Sequence, residues 1–161
     1  MAFQIVPVQA EHKPAIRTLL MQTNFFRADE IEVAMELIDD TLARQGHLTP
    51  EDYHIFVATQ ACEVLGYVCF GKTPLTDSTY DLYWIAVAPH MQSRGIGTRL
   101  FEFSCQEIRK QGGTLLVIET SSQPKYEPTC KFYEKVGCTL EARIKNFYRL
   151  GDDKLIYTKP L

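Results

Sequence analysis

The chain contains no run approaching the ~18 consecutive apolar residues of a membrane-spanning helix, so no membrane segment is expected. Its first residues, Met1-Ala2-Phe3-Gln4-Ile5-Val6-Pro7, lack the charged region and long apolar core of a secretory signal. Basic charge is not in excess: 17 Lys and Arg against 20 Asp and Glu give a net charge of −3, which argues against a nucleic-acid partner. No Cys-x-x-Cys pair occurs. The five cysteines (Cys62, Cys69, Cys105, Cys130, Cys138) are an odd number, mostly in apolar contexts, and the four histidines share no ligand spacing with them. A disulfide framework and a zinc site are therefore not expected, and reduced thiols in a cytoplasmic protein are. Repeats, low-complexity tracts and linkers are missing too. What remains is 161 residues, 45% apolar and 23% charged, enough for one globular domain spanning 1–161 with a substantial core.

The hydrophobic pattern changes period several times along the chain. Phe3 to Val8 reads as a strand; Glu11 to Thr23 and Ala28 to Arg44 carry apolar residues at helical spacing (Ile16, Leu19, Leu20; then Ile31, Ala34, Met35, Ile38, Leu42). The acidic residues of the second helix, Asp29 to Asp40, either face water or line a cationic ligand. Tyr53 to Ala58 and Val64 to Phe70 flank a tight turn at Gln60 to Glu63, predicting an antiparallel hairpin, and Thr79 to Val87 adds a third strand. A helix follows at Thr98 to Lys110; its apolar set (Ile96, Leu100, Phe101, Phe103, Cys105, Ile108) covers well over half the circumference, predicting a sandwiched helix. Thr114 to Thr120 is a continuous apolar strand typical of a sheet centre. Pro128 to Val136 is a short helix closed by Gly137, and strands at Cys138 to Ile144 and Lys154 to Lys159 complete the chain, with Gly151-Asp152-Asp153 as the turn before the last.

Between the third strand and the next helix lies Gln92-Ser93-Arg94-Gly95-Ile96-Gly97. A strand, a glycine-punctuated turn and a helix present bare backbone N–H groups to a phosphate, with the helix dipole in favour and Arg94 adding a fixed charge. The spacing is not G-x-G-x-x-G, and no G-K-[ST] follows, which sets aside the dinucleotide fingerprint and the P-loop. Further on, Lys131-Phe132-Tyr133-Glu134-Lys135-Val136-Gly137 places an aromatic pair in a helix just before its terminal glycine.

These segments, in this order over residues 79 to 138, resemble the GNAT N-acetyltransferase superfamily; with the tail Phe147-Tyr148-Arg149-Leu150-Gly151-Asp152-Asp153-Lys154 the likeness is nearest to ribosomal-protein alanine acetyltransferases. The resemblance implies an α/β GNAT fold, a mixed central sheet of about seven strands with helices on both faces. It also implies acetyl-CoA as co-substrate. Arg94, Gly95, Ile96, Gly97 and Thr98, with Gln92, would face the pyrophosphate, and the strand backbone at Ile85, Ala86 and Val87 would face the pantetheine arm, Val87 N–H also serving as oxyanion donor. Arg99 either meets phosphate or is a solvated helix residue. Tyr133 is the implied general acid, or else a buried tyrosine bonded to backbone; Glu119 is the implied base, in a cleft whose desolvation would favour proton uptake, or else a strand-end anchor. Asp81 and Tyr83 are reserves. The acceptor implied is a small amine or a peptide N-terminus, with neither nucleic acid nor membrane as partner, and a homodimer is left open. A non-catalytic GNAT module binding CoA or a protein is the alternative. The chain departs from the pattern in Tyr126 and Thr129, where many relatives carry Asn and Ala, and in Ser121 to Pro128, about two residues longer than in the alanine acetyltransferases.

Overall fold

In a computed structural model describing residues 2–161, the chain forms β1 (Gln4–Pro7), α1 (Lys13–Thr23), α2 (Ala28–Ala43), β2 (His54–Gln60), β3 (Glu63–Lys72), β4 (Thr79–Val87), α3 (Ile96–Lys110), β5 (Leu115–Ser121), α4 (Glu127–Lys135), β6 (Thr139–Arg149) and β7 (Asp152–Pro160). One seven-stranded sheet has the order β1-β2-β3-β4-β5-β7-β6. All neighbours are antiparallel except β4 and β5, which α3 joins as a parallel pair. A parallel pair needs such a crossover, because a two-residue turn cannot reverse the chain twice.

The pleat assigns the helices to faces. Gly66 and Val87 point toward α3: a Cβ on Gly66 would lie 3.1 Å from Leu100 and 3.4 Å from Val87. Trp84, three residues from Val87, points the other way and packs on Phe26 in the α1–α2 turn, ring centroids 5.0 Å apart. Phe101 of α3 meets Phe132 and Tyr133 of α4, which puts α4 on the α3 face. The core on both faces is apolar and closely sealed, with Ile16, Leu20, Ile38, Leu65, Leu100 and Ile108 essentially inaccessible.

Both crossover helices end alike. Gly112 (φ +86) donates its N–H to Arg109 O and Gly113 to Ile108 O; Gly137 (φ +88) donates to Glu134 O and Cys138 to Tyr133 O. Each is a Schellman closure, which satisfies terminal carbonyls and needs a left-handed residue. The β2–β3 turn takes two further left-handed residues, Ala61 and Cys62. That is a primed hairpin turn, as the predicted tight connection requires.

Three expectations are corrected. Helix α3 starts at Ile96 rather than Thr98. It is not sandwiched: Arg99, Glu102, Gln106, Arg109 and Lys110 form an exposed stripe, and the buried set includes Ser104, whose hydroxyl bonds Leu100 O at 2.9 Å. Counting apolar residues missed that a serine can sit in a core once its hydroxyl is satisfied. The last turn is Leu150-Gly151; Asp152 and Asp153 belong to β7 and are buried.

A pH dependence arises at the far end of the sheet. His54 is buried, stacked on Phe70 at 5.4 Å, with Nε2 3.0 Å from Thr49 O. Burial lowers its pKa from 6.5, opposed by the Thr49 carbonyl and Asp52. The unfolded chain therefore takes up a proton below about pH 6.5 that the folded chain refuses, so stability falls on acidification through that window. His54→Gln should flatten the fall in melting temperature between pH 7 and 5; an unchanged slope would assign it to other groups.

Candidate active site

Strands β4 and β5 pair over three residues only, Thr79, Tyr80 and Asp81 against Leu115, Leu116 and Val117. Just beyond, β4 carries an extra residue: Phe70 pairs Leu82 and Cys69 pairs Trp84, leaving Tyr83 unmatched. A bulge bends and twists its strand, and here it lies where β4 leaves β5. The result is a cleft between Leu82–Val87 and Ile118–Ser121, with unpaired strand edges on its walls.

The β4 wall presents backbone. Ala88 donates its N–H to Leu65 O at 2.9 Å, toward β3. Alternation then turns the N–H and C=O of Val87 and Ile85 into the cleft and those of Ala86 toward β3. The Ala86 carbonyl indeed lies 2.8 Å from where a Cβ on Gly66 of β3 would be. Of the three residues named for backbone, Ile85 and Val87 turn theirs toward the cleft, and Ala86, whose side chain is buried, turns its own toward β3.

The N-terminus of α3 stands beside this edge. Gly95 adopts φ +80, no side chain caps the helix, and the first intrahelical bond runs from Arg99 N to Gly95 O at 3.0 Å. The N–H groups of Ile96, Gly97 and Thr98 therefore have no helical partner, and donors in that state with an aligned dipole suit an anion. Gly95 is open, with nothing within 4 Å of a Cβ, and Gly97 abuts only Phe132 and Val87 at 3.6 Å. Gly95 is required by its left-handed backbone, Gly97 is not demanded by packing, and both leave the main chain open to close approach of a ligand. Arg94 is exposed at the loop. Gln92 turns its amide to Val87 O at 3.4 Å, and Arg99 stacks on Phe3 at 4.1 Å, away from the phosphate role considered for it.

Tyr133 is buried between Phe101, Phe132 and Tyr157. Its hydroxyl makes no hydrogen bond to a described residue, yet it is not sealed off as that of Tyr67 is. Burial, with the Cys138 and Cys130 thiols adding, pushes the phenol well above its ordinary value, so it stays protonated.

Glu119 lies on β5 across the cleft. It is half-exposed and bonded to Lys154 at 2.7 Å, where the sequence predicted a desolvated carboxylate. The reason is non-local: β7 brings Lys154 opposite Ser121, diagonal to Glu119. Asp81 accepts the Thr73 hydroxyl at 2.7 Å, beside the closed end of the cleft. Tyr126, in the place of the family's Asn, donates to Phe25 O at 2.9 Å and stacks on its ring at 5.4 Å. The longer Ser121–Pro128 segment forms a 3-10 turn, Pro124–Tyr126, that ties the α1–α2 turn to this edge of the cleft. The acidic residues of α2 are largely occupied by exposed pairs, Glu32 with Arg17, Asp39 with Lys13 and Asp40 with Arg44, so that run faces water.

A helix N-terminus and a free strand edge thus meet at a split in a mixed sheet. The acetyltransferase (GNAT) domain family matches residues 51–137, so the chain belongs to the GNAT acetyltransferase family. It is 42% identical to a GNAT-family protein of Desulfovibrio desulfuricans, each chain covering 99% of the other, with a TM-score of 0.93. The fold is shared with the ribosomal-protein-S18-alanine N-acetyltransferase of Escherichia coli (22% identity, 99% and 94% covered, TM-score 0.74). It is shared also with an aminoglycoside 6'-N-acetyltransferase complexed with coenzyme A (17% identity, 98% and 96% covered, TM-score 0.75). No curated protein matches the sequence. Among the described residues, no helix is long and apolar enough to cross a membrane.

Proposed function

We propose that the protein is an acetyl-CoA-dependent N-acetyltransferase in which a primary amine attacks the thioester directly. The observation that carries this is the uncapped α3 N-terminus beside the free β4 edge. Together they offer N–H groups to a pyrophosphate and, one strand away, a ladder edge to an amide-bearing arm. The aminoglycoside acetyltransferase that shares the fold binds coenzyme A.

Arg94, Gly95, Ile96, Gly97 and Thr98 hold the pyrophosphate; Ile85 and Val87 pair with the pantetheine amides. The amine nitrogen bonds to the thioester carbon as the carbonyl electron pair moves to oxygen, where Val87 N–H stabilises it. Glu119 accepts the ammonium proton, directly or through water. The C–S bond then breaks, and the thiolate takes the Tyr133 phenolic proton. Solvent restores both groups. The acceptor is a small-molecule amine or a peptide N-terminus. An acceptor screen with mass-spectrometric detection should find amines gaining one acetyl group; tight acetyl-CoA binding with no acetylated product from any amine would leave only a non-catalytic CoA-binding module.

A further inference from the structure

The β6–β7 hairpin is more elaborate than an edge needs. Ile144 pairs Lys154 and Arg149 pairs Asp152, so Lys145, Asn146, Phe147 and Tyr148 stand opposite Asp153 alone. The buried Asp153 carboxylate holds this bulge. It accepts the Asn146 N–H at 2.8 Å and Arg143 Nε, while Asn146, at φ +55, accepts the Gly151 N–H at 2.8 Å. Asp153 N–H donates to Ser122 Oγ at 2.8 Å, anchoring the bulge to the end of β5. Left-handed backbone in a non-glycine residue and a buried carboxylate are both costly. Their product is two large aromatics fixed in solvent: Phe147 and Tyr148 are 50% and 48% exposed, edge to face at 5.0 Å.

This pair stands beside the β5 wall of the cleft, because Lys154 Nζ lies 3.8 Å from the centre of the Phe147 ring and 2.7 Å from Glu119. Burial first, then the carboxylates of Glu119, Asp152 and Glu30, hold the Tyr148 phenol above its ordinary value. Those carboxylates already have internal partners. Lys154 occupies the box formed by Glu119 at 2.7 Å and the Phe147 ring at 3.8 Å. Asp152 accepts Ser121 Oγ and lies 3.7 Å from Arg149; Glu30 accepts the Arg27 N–H at 2.7 Å. With the charges matched, the side chains left to an acceptor are aromatic: Phe147 and Tyr148 on β6, and the partly buried Phe25 of the α1–α2 turn, tied down by Tyr126.

From this arrangement we infer that the acceptor is a primary amine bearing an apolar, ring-sized group within a few bonds of its nitrogen, and that Phe147, Tyr148 and Phe25 receive that group. The inference rests on the N-acetyltransferase reading. The shared chemistry comes either from a free arylalkylamine or from a peptide whose first residue is aromatic, and the test has an arm for each.

The amines 2-phenylethylamine and tryptamine, and a peptide beginning with Phe, are compared with putrescine, ethanolamine and a peptide beginning with Ser. Each is assayed by product mass and by calorimetric binding to the CoA-saturated protein. The aromatic members should exceed their polar counterparts about tenfold or more in kcat/KM, and the better of the two arms names the source. Phe147→Ala and Tyr148→Ala should erase that preference by raising KM, with melting temperature and acetyl-CoA binding held, whereas Tyr148→Phe keeps it. Preference for the polar amines, or selectivity unmoved in both alanine variants, overturns the inference. So does a change of oligomeric state in Phe147→Ala with selectivity intact, which would give these rings to a second copy of the chain. Calorimetry separates the two readings: aromatic-amine binding lost in Phe147→Ala, without turnover in any variant, supports the pocket and removes the acetyl transfer. No binding and no turnover removes both.

Discussion

Tyr133→Phe should lower kcat by roughly a hundredfold while leaving acetyl-CoA affinity within about twofold, in line with the loss of a positioned general acid. The phenol is protonated because it is buried, and the same burial makes it a weaker acid. Against a thiolate in water, with a pKa near 8.5, donation would run uphill. The leaving thiolate forms in the same enclosed space, however, and desolvation raises a thiol as it does a phenol. The protein itself displays the effect nearby, where burial pushes the Cys138 thiol up to about 11. Donor and acceptor are thus shifted in the same direction, which lessens the uphill step. Phenylalanine keeps the packing with Phe101, Phe132 and Tyr157 and removes only the proton. Stopped-flow measurement of thiol release at saturating substrates reads the change; full turnover in the variant would remove Tyr133 from the chemistry.

Gly113→Ala should destabilise the protein by about 3 kcal/mol, at the upper end for overpacking a core. A Cβ there would stand 2.2 Å from Ile108 Cγ2 and 2.8 Å from the Tyr80 ring. Both neighbours are fully buried, Ile108 is branched and stiff, and Tyr80 is further held by its bond to Gln111 at 3.1 Å. Gly112→Ala is the matched control: nothing lies within 4 Å, but φ is +86, so its cost is backbone strain of about 1 kcal/mol. Urea denaturation midpoints compare the pair. A Gly113→Ala variant no less stable than Gly112→Ala would mean that α3 and β4 separate easily at the root of the cleft.

What the sequence made legible was local. Glycines at 95, 112, 137 and 151 mark left-handed positions that few other residues accept, and alternating or helical apolar spacing follows from burial of one face. These gave the strand–loop–helix at the phosphate site and the order of elements. The cleft itself was not legible, because it depends on the Tyr83 bulge and on where two strands cease to pair. Nor was the Glu119–Lys154 contact, which forms across strands 35 residues apart and depends on register. Gly151-Asp152-Asp153 misled for a definite reason. Glycine and aspartates signal a turn, but only the glycine turns; the aspartates are drawn into β7 by Arg143, Ser121 and the Asn146 N–H. Asn146 within a strand-like run, followed by two aromatics and then by Gly-Asp-Asp, was the available sign of a built bulge.

The central claim is that the α3 N-terminus and the β4 edge grip acetyl-CoA for transfer to an amine. Titration calorimetry with acetyl-CoA, CoA and ATP, followed by thiol release over an amine panel in the same preparation, tests it most directly. The account predicts binding of acetyl-CoA and CoA, none comparable of ATP, and thiol release that requires an amine. Binding of ATP in place of CoA, or acetyl-CoA bound with no amine-dependent release, would contradict it.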